Sequence, residues 1–138
     1  MRRALGVREE VFCREQGVPR AEELDGLDDD AMHLLALRPD GATVIATLRL
    51  RMQGGDAKIG RVAVERDWRR RGIASRMLRL ALERAGERGC ARARLAAQLE
   101  ATALYEQVGF AVESEPFQQA GIMHVWMGRA LPPEMPSG

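Results

Sequence analysis

Arg61-Val62-Ala63-Val64-Glu65-Arg66-Asp67-Trp68-Arg69-Arg70-Arg71-Gly72-Ile73-Ala74-Ser75 is the stretch around which the chain is organised. Its first part continues Ile59 into a β-branched, apolar run with the pattern of a half-buried strand. From Ile73 the period changes. Ile73, Met77, Leu78, Ala81, Leu82 and Ala85 recur at three- and four-residue steps, while Arg76, Arg79, Glu83, Arg84 and Glu87 fill the other side. That is an amphipathic helix over 72 to 88. A strand that turns through glycine into a helix N-terminus makes an anion site, because the first amides of the helix lack partners and the dipole is positive there. Gly72 permits close approach of a ligand, Ala74 keeps the next turn small, and Arg69, Arg70 and Arg71 supply positive charge. The physics predicts a phosphate or pyrophosphate cradle. The plainer alternative is a solvated basic turn.

Working outward, the flanking segments read as a small α+β domain. Residues 5 to 16 form a helix that stops before Pro19. An acidic loop follows, with Glu22, Glu23, Asp25, Asp28, Asp29 and Asp30; it is either a solvated loop or a collar that attracts an amine. Strands are predicted over 32 to 37, 43 to 52 and 57 to 65, as an antiparallel meander joined by Pro39-Asp40-Gly41 and Gln53-Gly54-Gly55-Asp56. The helix over 72 to 88, ended by Gly89, crosses over to a parallel strand over 91 to 96. A second helix spans 99 to 108. A strand over 110 to 115, a loop from Pro116 to Ala120 and a last strand over 122 to 129 complete the sheet. The domain is expected to run from 1 to 130, with 131 to 138 a disordered tail.

Composition narrows the function. With 138 residues the chain is large enough for one real core. A net charge of +1 leaves no overall footprint for nucleic acid, despite the arginines at 66 and 69 to 71. No stretch reaches the length of a membrane span and no apolar leader is visible, so the expected setting is cytoplasmic. Cys13 and Cys90 lack metal-ligand spacing and read as free structural thiols, and no metal site is expected.

Three further motifs bear on chemistry. Gln98-x-x-Ala101-x-x-x-Tyr105-x-x-x-Gly109-Phe110 places Gln98 and Tyr105 on one side of a helix. An N-terminal block runs from Val7-Arg8-Glu9-Glu10-Val11-Phe12 through Glu15-Gln16-Gly17-Val18-Pro19 to Glu23-Leu24-Asp25 and Asp28. A C-terminal block is Phe117-x-x-Ala120-Gly121-Ile122-x-His124-x-x-Met127. Together with Arg69-x-x-Gly72-x-Ala74 after Val62-Ala63-Val64, these resemble the GNAT N-acetyltransferase superfamily, in its ElaA/YjcF-like branch. The match runs from about Val7 to Met127.

The resemblance implies a mixed twisted sheet with helices on both faces, acetyl-CoA as cosubstrate, and transfer of its acetyl group by direct attack of a primary amine on a small molecule or peptide. It implies that Arg69, Arg70, Arg71, Gly72, Ile73, Ala74 and Ser75 hold the pyrophosphate. The pantetheine arm would lie along Val62, Ala63 and Val64 and beside Gln98. An amide near Ala63 or Val64 would stabilise the oxyanion. The Tyr105 hydroxyl would give a proton or a hydrogen bond to the leaving thiolate. Where many members carry a Glu base on the central strand, this chain has Arg61. His124 and Glu15 are the candidate bases, and His33 reads as structural. A catalytically silent acyl-CoA-binding domain is the competing reading, and Arg61 is its main support. A first strand is expected to be missing or truncated, which would leave the strand over 31 to 38 with an exposed edge and make a homodimer plausible.

Overall fold

The computed structural model describes residues 31–38 and 43–131. The expectations that fall on the 5 to 16 helix, the acidic loop, Glu15 and Cys13 lie outside them. Among the described residues seven strands form one mixed sheet: β1 (Met32–Leu37), β2 (Val44–Gln53), β3 (Asp56–Val64), β4 (Arg92–Gln98), β5 (Ala111–Val112), β6 (Phe117–Gln119) and β7 (Ile122–Ala130). Helix α1 (Ile73–Glu87) follows β3, and the short α2 (Thr102–Gln107) follows β4 through a 3-10 turn at Leu99–Ala101. The sheet order is β1-β2-β3-β4-β7-β5, with β6 paired to β7. β1, β2 and β3 form the expected antiparallel meander. Crossing over through α1 makes β4 parallel to β3, as a helical connection requires.

The alternation along β4 decides where the core lies. Ala93, Leu95 and Ala97 are buried, whereas Arg92, Arg94, Ala96 and Gln98 are half-exposed. The buried set joins Ala46, Leu48 and Leu50 of β2, Ala57 and Ile59 of β3, and Val125 and Met127 of β7. Met77, Leu78, Ala81 and Ala85 of α1, together with Tyr105, Val108 and Phe110 at α2, close over it. The periodicity that predicted α1 is thus the one that seals it to the sheet. Leu78 has no exposed surface. Leu78→Ala should therefore cost about 2–5 kcal/mol in chemical denaturation, the usual toll for emptying a filled leucine site.

Several boundaries differ from the sequence expectation, each for a physical reason. The segment Pro116 to Ala120, read as a loop, contains β6. Ala120 and Gly121 both take positive φ (53° and 76°), which makes a two-residue hairpin turn and folds Phe117–Gln119 back on β7. The strand expected over 110 to 115 contracts to Ala111–Val112, paired with Met127 and Gly128. The second helix begins as a 3-10 turn and becomes α-helical only at Thr102. Leu131, read as the first tail residue, is buried in the core, with its amide donating to the Ala91 carbonyl at 2.8 Å. β1 ends the strand order, so among the described residues it presents the exposed edge expected of it.

Candidate active site

β3 and β4 pair only from Asp56↔Arg92 to Ile59↔Leu95. β3 then continues for five residues and β4 for three without pairing to one another, so a wedge opens between them. Its cause is legible in the register with β2. Thr47 faces Ala63 and Arg49 faces Gly60, so two steps on β2 match three on β3. The extra residue is a bulge, and Arg61 sits in it with φ 52°, left-handed and unusual for a side-chain-bearing residue. A bulge bends its strand, and here the bend coincides with the parting from β4. Periodicity could not reveal this, since the bulge lies in the register of two strands. Arg61 is therefore the residue that turns β3, as well as the residue occupying the expected position of a Glu base.

Past the wedge the chain makes a 3-10 turn, Arg66–Trp68, and enters α1. Gly72 is the N-cap, at φ 77°, with no side-chain cap. The first helical hydrogen bond runs from the Arg76 amide to the Gly72 carbonyl at 3.1 Å. The amides of Ile73, Ala74 and Ser75 precede it and have no partner within the helix. A Cβ built on Gly72 would meet no atom within 4 Å. The helix entrance is open at Gly72, and its first amides carry no side-chain cap.

The three arginines are not equivalent. Arg69 Nε donates to the Val64 carbonyl at 2.9 Å and ties the turn to the end of β3. Arg71 Nη2 donates to the Asp67 carbonyl at 3.2 Å, with its guanidinium 4.6 Å from the centre of the Trp68 ring. Arg38 lies 5.6 Å from the same ring. Arg70, at φ 62°, is exposed. Arg69 and Arg71 thus brace the turn, and the Ser75 hydroxyl accepts from Arg79 at 3.1 Å. Trp68 as a platform for two cations was not foreseen; a single Trp set among Arg66, Arg69, Arg70 and Arg71 was the available signal.

On the core side of the wedge, Tyr105 is buried, with its ring edge-on to Phe110 at 6.3 Å. Burial disfavours the phenolate and pushes the pKa of Tyr105 up to about 12. On the opposite side, His124 of β7 is registered with Gln98 at the end of β4 and with Phe117 of β6. His124 Nδ1 lies 2.7 Å from the Ile122 carbonyl. That carbonyl can only accept, so Nδ1 carries the proton, and Nε2 of the neutral ring keeps its lone pair. Phe117 stacks on both His124 and Trp126, at 6.0 and 5.8 Å. The structure therefore brings Val62, Ala63 and Val64 along one arm of the wedge and Gln98 to the end of the other. Tyr105 and His124 belong to opposite faces of the sheet. Glu15 lies outside the described residues.

Known proteins share this fold and sequence. Residues 5–110 match the acetyltransferase (GNAT) family. The chain belongs to the GNAT family. An uncharacterised N-acetyltransferase of Bacillus subtilis, YjcF, is 35% identical over 125 residues, covering 90% of this chain and 88% of that protein. An acyl-CoA N-acyltransferase from Pseudomonas aeruginosa superposes with a TM-score of 0.80 at 33% identity, over 92% of this chain and 88% of the other. Escherichia coli ElaA superposes with a TM-score of 0.82 at 27% identity, over 93% and 88%. These relatives fit the ElaA/YjcF-like branch of GNAT proteins. Among the described residues no helix is long and apolar enough to cross a membrane.

Proposed function

We propose that this GNAT protein transfers the acetyl group of acetyl-CoA to a primary amine by direct attack. The observation that carries the reading is the continuity of the β3–β4 wedge with the open N-terminus of α1. In this reading the amides of Ile73, Ala74 and Ser75, with Arg70 beside them, hold the pyrophosphate. Val62, Ala63 and Val64 offer the backbone left unpaired by β4 to the pantetheine amides, in the manner of an added strand, with Gln98 across the wedge. An amide near Ala63 or Val64 stabilises the oxyanion.

The core side of the wedge is closed by α1 and α2, so the amine enters from the opposite side, where His124 and Phe117 stand. His124 Nε2 takes the proton released as nitrogen bonds to the carbonyl carbon. Tyr105 meets the sulfur from the core side. Its pKa of about 12 stands well above an ordinary thiol near 8.5, so full proton transfer to the thiolate is uphill. Tyr105 serves as a hydrogen-bond donor to sulfur as the carbon–sulfur bond breaks. No covalent enzyme intermediate forms.

His124→Ala should lower the rate of thiol release by roughly 10²-fold, the lower end for loss of a general base, while the affinity for CoA stays the same. An unchanged rate with a good amine removes His124 from the mechanism. A silent CoA-binding domain remains the rival, since Arg61 replaces the expected base. Thiol release from acetyl-CoA across an amine panel separates the two. The exposed β1 edge, with Leu35 and Leu37 on it, supports a homodimer, which sedimentation would detect.

A further inference from the structure

Across the sheet face opposite the core, three cations stand side by side. Arg51 of β2 is registered with Lys58 of β3, and Lys58 with Arg94 of β4. Directly paired residues point to the same face, and their neighbours Leu50, Ile59 and Leu95 point into the core. Lys58 Nζ lies 5.5 Å and the Arg94 guanidinium 4.9 Å from the centre of the Trp126 ring. Phe117 stacks on Trp126, which buttresses the platform. Among the described residues no acid pairs with Arg51, Lys58 or Arg94, whereas Arg92, the next cation along β4, is paired with Glu113. Cations in adjacent registers repel one another, and a sheet gains nothing from the repulsion. The arrangement is suited to an anion.

Its position says which molecule would carry the anion. Lys58↔Arg94 is the last but one pair before β3 and β4 part. Gly60, where the wedge begins, is two residues on, about 7 Å at strand rise. The row therefore borders the closed end of the wedge, on the side from which the amine enters in the proposed reaction. We propose that Arg51, Lys58 and Arg94 bind an anionic group of the acceptor, a carboxylate or a phosphate, remote from its reacting amine. The inference rests on the acetyl-transfer reading for the amine end. The acceptor is then zwitterionic: a free amine at one end and an anion at the other. The acidic loop pointed only to the cationic end of such a molecule.

Binding can be tested without turnover. The chain has two tryptophans, so Trp68→Phe leaves Trp126 as the single tryptophan, excited selectively on the red side of tyrosine absorption. Titration of that protein with succinate and with inorganic phosphate should give a saturable change in emission, and neutral succinamide should give none. The change should vanish when Lys58→Gln and Arg94→Gln are added, with circular dichroism showing that the fold is kept. The anion that saturates first decides between carboxylate and phosphate. No response, or one that survives the double substitution, overturns the proposal whether or not the protein acetylates anything. In the kinetic arm, glycylglycine should be preferred to glycylglycinamide. Lys58→Gln should raise the KM for the acid about tenfold, the scale of one charged hydrogen bond, and erase the preference. Equal use of acid and amide by the parent protein contradicts it.

Discussion

Tyr105→Phe should lower the rate of thiol release from acetyl-CoA by roughly 10²–10³-fold at saturating amine, with the CoA dissociation constant almost unchanged. The ring is held by core packing against Phe110, and phenylalanine keeps that packing. Only the hydroxyl is lost, and with it, in the proposed reaction, the donor to sulfur. A second readout comes from pH. The folded protein holds the phenolic proton up to about 12, above the ordinary value of 10. Between those values the folded state binds more protons than the unfolded one, so this group's contribution to stability is complete below pH 10. It is lost as pH rises towards 12. Chemical denaturation should show that decline in the parent and a weaker one in Tyr105→Phe. A variant with parental kcat would leave Tyr105 as a core aromatic alone.

Gly72→Val should abolish most CoA affinity, by about 10²-fold or more. Two effects act together. A β-branched residue at φ 77° is strained by roughly 1–2 kcal/mol, and its side chain would stand in the space open beside the uncapped amides. Gly72→Ala separates them, since alanine shares much of the strain but fills less of the space. Calorimetric affinity should fall in the order glycine, alanine, valine. Equal affinities would show that no phosphate approaches the backbone there.

Local patterns carried much of the architecture. Ile73, Met77, Leu78, Ala81 and Ala85 specify α1 because a helix is a local structure, and its apolar side is written in one stretch. Gly72 before that stretch marks the helix entrance for the same reason. The features that sharpen the site are long-range. The bulge at Arg61 exists only in the register of β3 against β2. The Phe117–Trp126 stack and the cations over Trp126 draw on β3, β4, β6 and β7, which are distant in sequence. β6 was hidden by its polar composition and by Pro116, although Ala120-Gly121 carried the hairpin signal. The burial that sets the Tyr105 proton depends on α1, α2 and the sheet at once, and a motif reports only that a tyrosine is there.

The central claim is that a diphosphate is gripped at the entrance of α1 and its acyl arm laid in the wedge. Amide-resolved NMR of the labelled protein during titration with CoA tests both halves at once. The account expects saturable shifts at Gly72, Ile73, Ala74 and Ser75 together with Val62, Ala63 and Val64. Saturation with these seven amides unmoved, or no saturation at all, would contradict it.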